Sequence, residues 1–161
     1  MFWIALLLAQ TAVTPQIERG EALFFDPAKG CASCHALKGR GTAVGPDLKV
    51  IGGLAPPAIA VAARSTITTY VQNVKLKSRE SFPAMPGGKD ENTIELYDLS
   101  KTPAELRKID RTQIDSMTSN DTWKHPPTAR KYTDEQMADI IAYIRYAVTG
   151  RTKGVDPAEV R

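Results

Sequence analysis

Cys31 and Cys34 stand three positions apart and are followed at once by His35. Two thiols at this spacing can add across the two vinyl groups of a porphyrin as thioethers, and the adjacent imidazole is then set to ligate iron on one face. Cys31-Ala32-Ser33-Cys34-His35 is therefore read as the C-x-x-C-H signature of covalent haem attachment. These are the only cysteines in 161 residues, so a disulfide scaffold is excluded. A structural zinc site would want about four ligands, where two cysteines and two histidines are the only soft candidates. A thioredoxin-like redox pair needs a βαβ context that the glycine- and lysine-rich flanks do not supply.

The elements that must position this motif can be read around it. Thr14 is placed to cap a first helix with Pro15 at its first position, carrying Ile17, Ala22, Leu23, Phe24 and Phe25 until Asp26-Pro27 stops it. A last helix is expected over about residues 133–149: Thr133 caps it, Gln136 completes a capping box, and Asp134 and Glu135 suit its positive end. Met137, Ile140, Ile141, Ile144, Ala147 and Val148 recur at three-and-four spacing, and Gly150 suits the position beyond. Between these helices lie a Gly/Pro-rich loop over 39–57 and an Ala-rich helix over about 57–64. Residues 66–77 fit either a helical face (Ile67, Tyr70, Val71, Val74) or an alternating strand (Val74, Leu76), and periodicity does not choose. Residues 93–99 alternate cleanly enough for a short strand, and a polar helix or turn is expected over 103–115.

With these pieces in place, the sequence resembles the class I c-type cytochromes from Gly20 to about Tyr146. The resemblance rests on the helix with Gly20 and Phe24, the segment Cys31 to His35, Gly45-Pro46-Asp47-Leu48, and the terminal helix with Ala142-Tyr143-Ile144. It implies a mainly α fold around one covalent haem c, with the first and last helices crossing beside it and a small β-containing insertion between a third helix and the C-terminal helix. The domain is expected over 14–150, with the insertion and distal loop at about 87–131 and a tail over 151–161. The resemblance also implies that the Pro46 carbonyl accepts the ring proton of His35, which fixes the imidazole plane and makes its other nitrogen a better donor.

A carrier with a closed haem wants a second protein ligand, commonly Met or His. Three residues compete. His125, in Trp123-Lys124-His125-Pro126-Pro127, lies eight residues before Thr133. That is where the family delivers its distal ligand, and in the subgroup of bacterial haem-binding domains with a small β insertion it falls on Met-Pro. Met85, in Phe82-Pro83-Ala84-Met85-Pro86, resembles the ordinary arrangement if 66–77 is helical. Met117, water or an open position remain besides, and His125 is preferred.

The function expected is single-electron transfer between redox protein partners, with no catalytic residues. The alternative is a haem enzyme or gas sensor whose sixth position is open or labile. No G-x-G-x-x-G precedes a helix, and no Ser-His-acid set is available with His35 committed to iron. A formal charge of +3, with 18 acidic residues interspersed, does not argue for nucleic acid. Lys29, Lys38 and Arg40 flank the motif and could steer an acidic partner. The mixed charges of 93–115 could form a docking surface or a merely solvated face. Residues 1–12, an uncharged apolar run of signal-segment length, imply export to the periplasm or another extracytoplasmic space, with a membrane tether or membrane-associated partner as a variant.

Overall fold

The computed structural model describes residues 13–161, and the leader expected over 1–12 lies outside them. The first helix, α1 (Pro15–Phe24), starts where its cap dictates: Thr14 accepts from the Ile17 N–H, and Pro15 occupies the first turn. The second, α2, runs Pro56–Arg64. The last, α3 (Asp134–Thr149), opens on a Thr133–Gln136 capping box and closes on Gly150 at φ 73°, a left-handed conformation that glycine adopts without strain.

Helices α1 and α3 cross at Gly20. A Cβ there would fall into the backbone carbonyl of Asp139 and stand 2.9 Å from the Tyr143 Cβ, so only glycine permits this approach. Beside the crossing, Arg19 grips the buried carboxylate of Asp139 with two bonds of 2.8 and 3.0 Å. Ile17, Phe24, Met137, Ile140, Ile141 and Ile144 fill the core between the helices. The segment after α3 belongs to the same core: Val155 and Val160 are buried, and the Gln16 side chain exchanges two hydrogen bonds with the Val155 backbone.

Elsewhere the expected fold class is overturned. Among the described residues the fold is not mainly α, because three helices stand beside a five-stranded antiparallel sheet. A two-stranded ribbon, β1 (Ala36–Leu37) with β2 (Arg40–Gly41), follows the haem motif. No third helix forms over 66–77; Gln72–Leu76 is instead strand β3, whose Val74 and Leu76 point inward while Ile67 and Tyr70 are exposed. Next come β4 (Ser81–Lys89), β5 (Thr93–Asp98), β6 (Glu105–Asp110) and β7 (Ile114–Ser119). Strand β6, the turn after it and the first residues of β7 occupy the stretch expected to be a polar helix or turn.

The sheet order is β6-β5-β4-β3-β7. Strands β6 and β7 are its two edges, yet only the short 3-10 turn Arg111–Gln113 separates them in the chain. Four Cα steps reach at most about 15 Å, whereas four strand spacings in a flat sheet need about 19 Å. The sheet must therefore curl into a small, partly open barrel whose edge strands β6 and β7 approach without pairing. Its interior is a second core of Val74, Leu76, Phe82, Ala84, Leu96 and Ile109, distinct from that of the helices.

Candidate haem site

The proximal side is built by the short turn after α1. Gly30 begins a single 3-10 turn, Cys31–Ser33, that places both thiols on one compact loop, and the His35 N–H donates to the Cys31 carbonyl at 2.9 Å. Cys31 and Ala32 pack against the helical core. The Tyr132 hydroxyl, just ahead of α3, donates to the Lys29 carbonyl at 2.8 Å and so ties the loop to the start of the last helix. Burial pushes the Cys31 thiol up to about 11, which holds it as a protonated thiol.

His35 Nδ1 donates to the Pro46 carbonyl at 2.8 Å. This bond leaves Nε2 as the nitrogen with the free lone pair. Gly45 is what lets the loop close so tightly on the ring: a Cβ at this position would stand 2.5 Å from Cε1 and 2.8 Å from Nδ1 of His35. Burial lowers the His35 pKa, the Pro46 hydrogen bond opposes that shift, and the nearby His125 ring adds to it, so the ring is kept in its neutral, ligating form.

The structure brings His125 to the same place. The rings of His35 and His125 face each other with centroids 5.8 Å apart and planes 31° from parallel. Its Nδ1 likewise donates to a backbone carbonyl, that of Pro126, at 2.8 Å, so both rings present Nε2. Metal–imidazole bonds of about 2 Å, with each ring centre about 1 Å behind its nitrogen, put two rings sharing one metal about 6 Å apart. The donor set thus fits a porphyrin iron: two thiols on one turn, and two imidazoles at the right centroid separation, each with Nδ1 committed to a carbonyl and Nε2 left free.

Neither methionine joins this pair. Met85 lies in β4 opposite Tyr97, and Met117 lies in β7 opposite Val74, where it packs on the barrel core. The basic residues beside the motif are partly engaged: Arg40 binds Glu21 at 2.6 Å and stacks over Phe25, Lys29 lies over the Tyr132 ring, and Lys38 is exposed. Among the described residues no helix is long and apolar enough to cross a membrane.

The cytochrome c family model matches residues 17–109, more than half of the chain. The chain belongs to the cytochrome c family, of the class I type. Its cofactor is accordingly a covalently attached haem c with one iron, and the activity of the family is haem-based electron transfer. The match ends inside β6, and α3, which completes the helical core against α1, lies beyond it. No curated protein matches the chain.

Sequence reasoning missed two contributors to the site. The Pro126 carbonyl as partner of His125 carries no sequence signal, since any residue offers a carbonyl. Tyr132 had a weak one: a tyrosine immediately before a capping threonine is placed to reach back across the helix start.

Proposed function

We propose that this cytochrome carries single electrons between redox proteins outside the cytoplasm, with Cys31 and Cys34 as the thioether residues and His35 and His125 as the two axial ligands. The observation that supports this reading is the close pair of imidazoles, centroids 5.8 Å apart, each with Nδ1 committed to a carbonyl and Nε2 free of one. When bound, haem c supplies a one-electron ferric/ferrous couple. The chain's own residues do the rest. Pro46 and Pro126 fix the tautomers and raise the basicity of the ligating nitrogens, and the helical core anchors the thioether turn. Two imidazoles favour ferric iron more than a thioether partner does, so the reduction potential sits below that of a His-Met carrier. Partners are proteins with acidic contact surfaces, approached by Lys29 and Lys38, and the apolar residues 1–12 suit an exported chain.

The test is carbon monoxide added to the ferrous protein. With both axial positions held by side chains, the absorption spectrum stays unchanged over minutes, while His125→Ala forms an adduct at once. Rapid adduct formation by the wild type would refute the closed-carrier reading in favour of an open-site enzyme or sensor. His125→Met should keep the haem closed and raise the potential.

A further inference from the structure

The distal imidazole is carried by an irregular segment between β7 and α3, and something must hold that segment to the depth the iron requires. His125 itself has one backbone anchor, its N–H donating to the Thr66 carbonyl at 3.0 Å. The other anchors converge on Asn120, the first residue after β7, which is only 8% exposed. Its Oδ1 accepts from the Thr122 N–H at 3.2 Å, the Thr122 hydroxyl at 2.9 Å and the Trp123 N–H at 2.9 Å. Its Nδ2 donates to Asn73 Oδ1 on β3 at 2.7 Å, and its backbone N–H donates to the Val71 carbonyl at 2.9 Å. One amide side chain thus folds the outgoing chain into a turn and bolts that turn to the strand that begins the barrel. The turn ends on Trp123, whose ring meets the His125 ring edge-on at 6.4 Å and 88°.

We propose that Asn120, backed by Asn73, is the positioning residue for the distal ligand: it sets where the chain leaves the barrel and hence whether His125 reaches the iron. This rests on His125 being the sixth ligand. A buried asparagine could in principle serve only the stability of the barrel. However, every bond made by its Oδ1 goes forward along the chain towards His125, and none goes into the barrel core.

The experiment compares the intact haem protein with Asn120→Ala, Asn120→Asp, Asn73→Ala, His125→Ala and Leu96→Ala, the last emptying part of the barrel core away from this turn. The readouts are the ferric electron-resonance signal and the rate of carbon monoxide binding to the ferrous protein. A neutral hydrogen bond of this kind is worth about a fivefold factor in an equilibrium, so loss of the Oδ1 bonds should raise the binding rate at least about tenfold. High-spin ferric signal should appear with it. Asn73→Ala, which removes one bond, should give a smaller rise. Asn120→Asp keeps the acceptors, and Asn73 can rotate its amide to donate, so this variant should stay closed. Leu96→Ala should lose stability and still stay closed. If His125→Ala opens the haem but Asn120→Ala remains as closed as the wild type, or if Leu96→Ala opens it equally, the positioning role is overturned while the ligand assignment stands. If His125→Ala keeps the wild-type spectrum, the ligand assignment falls and the positioning role with it.

Discussion

Gly45 lies against the face of the His35 ring, and replacing it by alanine tests whether the Pro46 loop sets the proximal imidazole. The backbone there accepts any residue, so the effect comes from contact alone. The added Cβ would meet Cε1 at 2.5 Å, Nδ1 at 2.8 Å and Nε2 at 3.2 Å. Carbon atoms in contact settle at about 3.5–4.0 Å, so the ring or the loop must give by about 1 Å. A shift of that size carries the 2.8 Å bond from Nδ1 to the Pro46 carbonyl out of hydrogen-bonding range, at a cost of about 1 kcal/mol. Overpacking adds about 1–3 kcal/mol. Gly45→Ala should therefore lose about 2–4 kcal/mol in urea unfolding, by the same two principles. Its reduction potential should rise as well, because an imidazole that no longer shares its Nδ1 proton is a weaker donor to ferric iron. Unfolding with the wild-type midpoint, together with an unchanged potential, would refute the idea that this loop holds the ring.

Two further expectations follow from single positions. Gly20→Ala drives a methyl into the Asp139 backbone at the α1–α3 crossing, where neither helix can yield locally, so it should cost about 3 kcal/mol or more in urea unfolding; a loss under about 1 kcal/mol would mean the helices slide freely. Asp98, buried in the barrel, is pulled two ways: burial raises its pKa, but hydrogen bonds from Ser100 and Arg107 outweigh that and hold it below the ordinary carboxylate range. A depressed folded pKa contributes stability that is fully present above the unfolded value of about 3.9 and is lost as the pH falls through the folded one. Urea midpoints measured from pH 7 to 3 should therefore drop towards acid in the wild type and drop less steeply in Asp98→Asn. Equal slopes would remove Asp98 from the account.

Most of the helical part was legible because helices advertise their ends. Thr14-Pro15, Thr133 with Gln136, and Gly150 are each placed by local hydrogen bonding that needs no tertiary context, and all three positions behave as such local chemistry requires. The barrel was largely illegible, for reasons visible in its strands. The inward-facing positions of β6 include Arg107, whose guanidinium stacks on the Phe82 ring at 4.3 Å while it binds Glu80 and Asp98, and Leu106 on the same strand is exposed. An arginine lying along an aromatic face does the packing of an apolar residue, so the alternation that marks a strand is absent from the letters. In β4, Pro83 and Pro86 argue against a central strand, yet β3 pairs no further than Ala84, so at Pro86 the strand has a neighbour on one side only. The same prolines made Met85-Pro86 look like a ligand loop. Nothing in local sequence distinguishes a Met-Pro that bends a chain towards iron from one that ends a strand pairing.

The two faces of the haem site are secured by different means. On the proximal side, the thioether turn leans on the helical core and is tied by Tyr132 to the start of α3, a set of contacts that never passes through the barrel. On the side proposed to be distal, the chain reaches His125 only after the last strand. The incoming and outgoing segments are pinned to each other through Val71 with Asn120 and Thr66 with His125. Because those pins hold the two ends of the barrel segment close together, the helical part sees a short neck, and the closure entropy of the long excursion is confined to the barrel's own folding. Such an arrangement lets a cytochrome accept a separate five-stranded core without disturbing its helix crossing. With His125 as the proposed sixth ligand, the consequence is an asymmetry: whatever loosens β3 or β7 acts on His125 first, while His35 answers to the thioether turn, the Pro46 loop and the helical core.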